Sequence, residues 1–200
     1  MKKIKKTIVG ICICILLLSC VYVFELNICK LTYVNNKKEA QEIMKNAYNI
    51  IESKNDKKDV YTELSKSNEN DIIGILVIKK IDVKAPVKQG TSQQIMQTSV
   101  GHFTESDLWD GNVSLASHNS GTSMHYFEKI NKLDVNDEII YITSLGERKY
   151  KVQCVSKIKD TDWSMVKKNE NTKNKENTIT LITCINGQPD YRLCIRGIQI

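Results

Sequence analysis

Apolar positions recur with three different periods along this 200-residue chain, and each period predicts a different kind of element. Lys2, Lys3, Lys5 and Lys6 precede an apolar run from about Ile8 to Leu26, interrupted only by Gly10, Ser19 and Glu25. That run is roughly the twenty residues a helix needs to cross a bilayer. Farther on, Ala40, Ile43, Met44, Ala47, Ile50 and Ile51 recur at helical spacing among Lys, Glu and Asn. They predict an amphipathic helix of roughly three to four turns, which needs a partner for its apolar face, either a domain or the membrane surface. Residues 53–71 are polar and charged and read as a helix end plus linker.

From Ile72 the texture changes to short β-branched runs. Ile72–Ile78 reads as a strong strand and Val83–Val87 as a shorter one, with Pro86 marking an edge. Further strands are predicted at Val113–Ser117, Glu138–Thr143 and Lys149–Ser156, with a short helix at Ser92–Met96 and a helical turn at Ser123–Ile130. Thr178–Thr183, a turn over Asn186-Gly187-Gln188-Pro189-Asp190 and a return through Arg192–Ile195 complete a hairpin. Evenly spaced strands with few helices predict a mainly β domain, an antiparallel barrel or sandwich. The organisation expected is 1–28 for the lysines and membrane anchor, 29–71 for helix and linker, and 72–200 for one folded domain. About 130 residues is a common single-domain size. Residues 167–177 are nearly all Lys, Asn, Glu and Thr and read as a mobile surface loop.

Charge changes this picture little. The formal charge of +6 includes the four leading lysines, and no basic stripe with interleaved aromatics points to nucleic acid. The lysine cluster does set a topology: it stays in the cytoplasm, so a single-pass anchor places everything after Leu26 outside the cell membrane. A cleaved signal peptide is the rival, but no small-x-small site follows the apolar core. Leu17-Leu18-Ser19-Cys20 resembles a lipoprotein box, yet apolar residues continue beyond Cys20.

Of seven cysteines, Cys12, Cys14, Cys20 and Cys29 lie in or beside the apolar run, leaving Cys154, Cys184 and Cys194 in the domain. An odd number leaves a free thiol, and the spacing matches no zinc pattern. A Cys184–Cys194 bridge is open but disfavoured, because bridging neighbouring strands strains the bond. In the hairpin, Cys184 and Arg192 face each other. A cation favours thiolate over thiol, and planar guanidinium donors can hold a carbonyl oxygen as it gains charge. His118 ends a predicted strand and is followed by the turn residues Asn119-Ser120-Gly121, a place where a rigid backbone meets an open loop. On its own, a histidine there is more often a polar rim residue than a catalyst, and His102 and His125 compete with it. Imidazole near a cysteine can assist attack and then protonate a leaving amine.

Together these residues resemble the sortases, membrane-anchored cysteine transpeptidases of Gram-positive bacteria. Thr180-Leu181-Ile182-Thr183-Cys184 is similar to the family's TLxTC motif, Arg192 before Leu193-Cys194-Ile195 to its catalytic arginine, and Leu115-Ala116-Ser117-His118-Asn119 to the stretch bearing its catalytic histidine. The run Gly74–Ile81, then Pro86-Val87, Gly90-Thr91 and Gly101-His102 follow in the family's order, although Lys79 and Ser117 stand where proline and glycine are common. The resemblance implies a closed eight-stranded β-barrel, no cofactor, and Cys184, His118 and Arg192 as the catalytic set. Thr183, Ser117 and Asn119 are the implied substrate-binding positions. Partners implied are surface proteins bearing an LPxTG-like sorting signal and an acceptor amine from a cell-wall precursor or a pilin lysine. The short Cys184–Arg192 loop and Asp160-Thr161-Asp162-Trp163 resemble classes A and D, with D favoured. No metal ligand is assigned, and a calcium site like that of some class A members stays open, since Glu105, Asp107 and Asp110 read equally well as solvated loop acids. A hydrolytic peptidase using the same residues, a catalytically silent peptide-binding module, and a thiol-redox protein lacking a C-x-x-C motif are the alternatives.

Overall fold

The computed structural model describes residues 2–54, 60–167 and 176–200. Helices α1 (Lys2–Lys54), α2 (Val60–Ser65) and α3 (Gln93–Met96) accompany eight strands. These are β1 (Ile72–Ile78), β2 (Val83–Gln89), β3 (Val100–His102), β4 (Asn112–Ala116), β5 (Glu138–Thr143), β6 (Gly146–Lys159), β7 (Thr178–Ile185) and β8 (Gln188–Gln199). They close into a barrel in the order β1-β2-β3-β4-β7-β8-β6-β5. Closure gives every strand a neighbour on both sides, and alternation along each strand sends one set of side chains inward. Leu76, Ile78, Val113, Leu115, Tyr141, Tyr150, Ile179, Leu181 and Ile195 fill that interior. Close approach also matters at Gly74, where a Cβ would lie 2.6 Å from the Ile142 carbonyl oxygen.

Two pairings, β2 with β3 and β4 with β7, are parallel, so the barrel is mixed rather than wholly antiparallel. β2 lies inside the closed order, not at an edge, but β3 pairs only with residues 87–89, and Pro86 stands just outside that ladder. The expected helical turn at 123–130 is confined to its second half: 126–129 form turns that run into a short 3₁₀ turn at Ile130–Lys132, while 123–125 are irregular. There the Thr122 hydroxyl donates to the Met124 carbonyl (2.9 Å) and His125 Nδ1 bonds the Thr122 carbonyl (2.9 Å), partners that compete with a helical ladder.

The apolar run and the amphipathic segment are one continuous helix, because no Gly or Pro interrupts residues 11–54. Within it lies a stretch long and apolar enough to cross a membrane, with mean hydropathy 2.3 and none of it buried against the rest of the chain. The amphipathic part has the domain as its partner: Ala40, Ile43 and Ala47 are buried, and α1 touches β1 and β2. Lys84 Nζ sits 5.0 Å from the Tyr48 ring centroid, a cation–π contact. In the stretch read as a linker, α2 sends Leu64 into the barrel core. Most of the predicted 167–177 loop lies outside the described residues.

Candidate active site

Strand register decides which side chains share a face. β4 and β7 run parallel with Asn112 beside Thr178 and Ala116 beside Ile182. β7 and β8 run antiparallel with Ile182 opposite Cys194 and Cys184 opposite Arg192. Since Val113, Leu115, Ile179, Leu181 and Ile195 point into the core, alternation puts Asn112, Ser114, Thr178, Thr180, Ile182, Cys184, Arg192 and Cys194 on the outer face. The Ser117 N–H reaches the Ile182 carbonyl (3.4 Å), carrying the pairing one residue past β4. His118 therefore comes level with Thr183 and Cys184 at one end of the barrel. Directly opposed residues have Cβ atoms about 5 Å apart, so Cys184 and Arg192 start as close neighbours.

Hydrogen bonds tie the two segments together. The Thr183 hydroxyl donates to the Ser117 carbonyl (2.8 Å). Asn119 Nδ2 donates to the Cys184 carbonyl (2.7 Å) and to Asn186 Oδ1 (3.1 Å). The Phe127 N–H closes the loop after the histidine on the His118 carbonyl (3.1 Å). Beside Cys184 opens a cleft of about 220 Å³ lined by Asn119, Phe127, Glu128, Asn131, Thr183 and Asn186, among others. Of the three expected substrate-binding residues, Asn119 and Thr183 line this cleft, while Ser117 is buried and its Oγ has no hydrogen-bond partner among the described residues.

The candidate groups have distinct environments. Cys184 is exposed and free. His118 is half-buried, and burial pushes its imidazole below the usual value of 6.5. Its Nε2 is buried with no hydrogen-bond partner among the described residues. Arg192 Nη1 donates to the carbonyls of Pro189 (2.6 Å) and Tyr191 (2.8 Å), while Nη2 lies 4.0 Å from Asp160 Oδ2. The first residues of β8 thus hold one end of the guanidinium.

The competitors are occupied elsewhere. His102 is fully buried, with Nδ1 on Gln89 Oε1 (2.8 Å) and Nε2 near the Asp107 carbonyl (3.0 Å) and Ser106 Oγ (3.0 Å). His125 bonds the Thr122 carbonyl and lies 3.5 Å from Glu128. Arg196, opposite Thr180, donates to Met165 Sδ (3.7 Å) and Thr178 Oγ1 (3.4 Å). Cys194 is buried, and desolvation pushes its thiol up to about 11, so it stays protonated and inert. No disulfide joins it to Cys184. Asp110 pairs with Arg148 (2.7 Å), and Asp107 Oδ2 accepts the Asn112 N–H (2.9 Å).

One contributor had no reading in the sequence. Asn112 Nδ2 donates to the carbonyls of Met165 (2.9 Å) and Lys167 (3.0 Å), and its Oδ1 accepts from the hydroxyls of Thr178 (3.1 Å) and Thr180 (2.8 Å). Ser114 Oγ donates to the Val166 carbonyl (2.9 Å). These bonds lay residues 165–167 across the outer face, where Val166 packs on Ile182 and Cys194. Thr178 and Thr180, two alternating hydroxyls in an aliphatic strand, were the available signal.

The sequence profile of the sortase domain matches residues 76–199. Sortase D of Bacillus subtilis (strain 168) is 26% identical over 113 residues, which cover 56% of this chain and 53% of the relative. The chain thus spans about half the length of the curated relative it matches. A crystal structure of sortase C1 from Streptococcus agalactiae is similar at TM-score 0.58 and 28% identity, covering 64% of this chain and 67% of that one. The Clostridium perfringens sortase D5 transpeptidase has TM-score 0.67 at 24% identity, covering 80% and 99%. This last likeness is one of fold. With the profile spanning well over half of its length and the barrel closing in the same way, the chain belongs to the sortase family.

Proposed function

We propose that the protein is a membrane-anchored cysteine transpeptidase that cleaves an LPxTG-like sorting signal and joins the new carboxyl end to an amine. The match to sortase D of Bacillus subtilis favours the class D group. The lysines in the first turns of α1 favour a cytoplasmic N-terminus, with the barrel outside.

The steps follow from the groups on the outer face. Neutral His118 takes the proton from Cys184, and the thiolate attacks the backbone carbonyl carbon of the signal's threonine. The carbonyl oxygen gains negative charge, and the Arg192 donors left free by the Pro189 and Tyr191 carbonyls stabilise it. As the C–N bond breaks, His118 returns the proton to the departing amine, leaving a thioester on Cys184. An incoming amine, from a cell-wall precursor or a pilin lysine, attacks the thioester. It forms the new amide, loses a proton to His118, and releases the Cys184 sulfur.

The reading rests on one observation above all: strand register puts Cys184, His118 and Arg192 at one end of three adjacent strands, with Cys184 exposed beside a cleft. The test is product analysis of the full chain in detergent with a library of LPxTG-like peptides, with and without glycine-based and lysine-based amines. A ligated product that appears only with amine supports transpeptidation. Cleavage without ligation under every amine indicates a hydrolytic peptidase, and binding without cleavage a silent module.

A further inference from the structure

We infer that the catalytic end of the barrel is turned toward the membrane, with the loop after His118 seated at the lipid headgroup layer. This rests on the proposed membrane span of α1 and adds the orientation of the barrel to it.

Strand directions identify the end. β4 and β7 are parallel and both finish at the site. β3 is antiparallel to β4 and parallel to β2, so β2 begins at that same end, and the β1–β2 connection at Lys79–Asp82 lies there too. β6 finishes there as well, Ile158 pairing with Arg192, so the β5–β6 turn before Glu147 marks the opposite end.

α1 meets the catalytic end with its membrane-proximal part. Tyr33 and Lys37 share a cavity of about 340 Å³ with Asp82 and Met124. Asn36 Nδ2 donates to Ser123 Oγ (3.1 Å). Lower still, Ile28 and Thr32 line a second cavity with Gly121 and Thr122. The later positions Ala40, Ile43 and Ala47 are the ones that bury their side chains.

Helix rise converts this into height. At about 1.5 Å per residue, Ile28 stands about 3 Å and Asn36 at most about 15 Å beyond Leu26, where the apolar run ends. Each headgroup layer is about 5–8 Å thick. Gly121 and Thr122, beside Ile28 and Thr32, therefore lie at or just above headgroup level. Exposed Lys30, Lys37 and Lys129 on this side suit the phosphates of an anionic surface. Because Phe127 closes the loop on His118, the loop links the membrane contact directly to the site.

The test uses the full chain in nanodiscs of phosphatidylcholine and phosphatidylglycerol, with the exposed cysteines replaced by serine. A bimane label is placed through Leu16→Cys, Thr122→Cys or Glu147→Cys, in chains whose far-UV spectrum matches the parent. Quenching is read with nitroxides on lipid headgroups or on acyl chains. The expected result is strong acyl-chain quenching at position 16 and headgroup quenching severalfold greater at position 122 than at 147. Equal headgroup quenching at 122 and 147, or more at 147, with position 16 still quenched by acyl chains, overturns the orientation and leaves the span intact. No acyl-chain quenching at position 16 overturns the span itself.

Discussion

On the inner side of β4, β7 and β8, Val113, Leu115, Ile179, Leu181 and Ile195 are sealed from solvent. On the outer side, the alternate residues of the same strands are Asn112, Ser114, Thr178, Thr180, Cys184 and Arg192. The inner set contributes through burial, which asks only for apolar bulk of the right shape. The outer set is built from hydrogen bonds that fix particular partners, as Asn112 does with two threonines and two carbonyls. A slip of one residue exchanges the two sets completely. The core therefore protects the chemistry indirectly, by making every other register costly.

Substitutions that separate the two faces sharpen this contrast. The largest effect is expected from Cys184→Ala, which should abolish thioester formation while shifting stability by no more than about 0.5 kcal/mol, as for an exposed position; melting curves beside activity assays check both halves. Arg192→Lys should lower kcat/KM by about 100- to 1,000-fold, the scale for one oxyanion donor, since an ammonium cannot reproduce the guanidinium fork. Leu181→Ala should reverse the pattern, costing about 2–5 kcal/mol in denaturant unfolding, with activity lost only in proportion to unfolding. Asn112→Ala changes an outer-face residue whose bonds are structural. It should cost about 1–3 kcal/mol, because the Met165 and Lys167 carbonyls lose their donor, and it should raise proteolysis near residue 165.

The smallest effect concerns pH. Burial disfavours the charged imidazole of His118, so its folded value lies below 6.5 while the unfolded one does not. Well above 6.5 the histidine is neutral in both states and contributes no pH dependence to stability. As pH falls through that window the unfolded state binds the proton first, and stability declines. The acid limb of kcat/KM should likewise fall below pH 6.5; a limb at or above 6.5 contradicts the burial argument.

Legibility followed locality. β1 and β5 occupy the residues their β-branched runs predicted, and the β7–β8 hairpin brings Cys184 opposite Arg192, although its turn is only Asn186-Gly187, with Gln188-Pro189-Asp190 already in β8. β3 escaped notice because three residues are too few to show a period. The parallel β4–β7 pairing joins segments more than sixty residues apart, so residues alone placed His118 only at a strand end. Its neighbourhood with Cys184 was an implication of the family resemblance. The Asn112 clamp was illegible for the same reason: its partners lie on β7 and in the segment after β6. The continuity of α1 was legible in the absence of Gly and Pro, yet the change from apolar to amphipathic pattern read as two separate units.

The most direct test of the central claim is intact-mass spectrometry of the full chain mixed with LPxTG-like peptides in the absence of amine, followed by peptide mapping of the modified species. The expected result is one adduct, equal in mass to the N-terminal half of the peptide, carried on Cys184 and discharged when amine is added. An adduct carried on Cys154 or Cys194, or cleavage that persists in Cys184→Ala, would contradict the assignment of the outer face as the catalytic one.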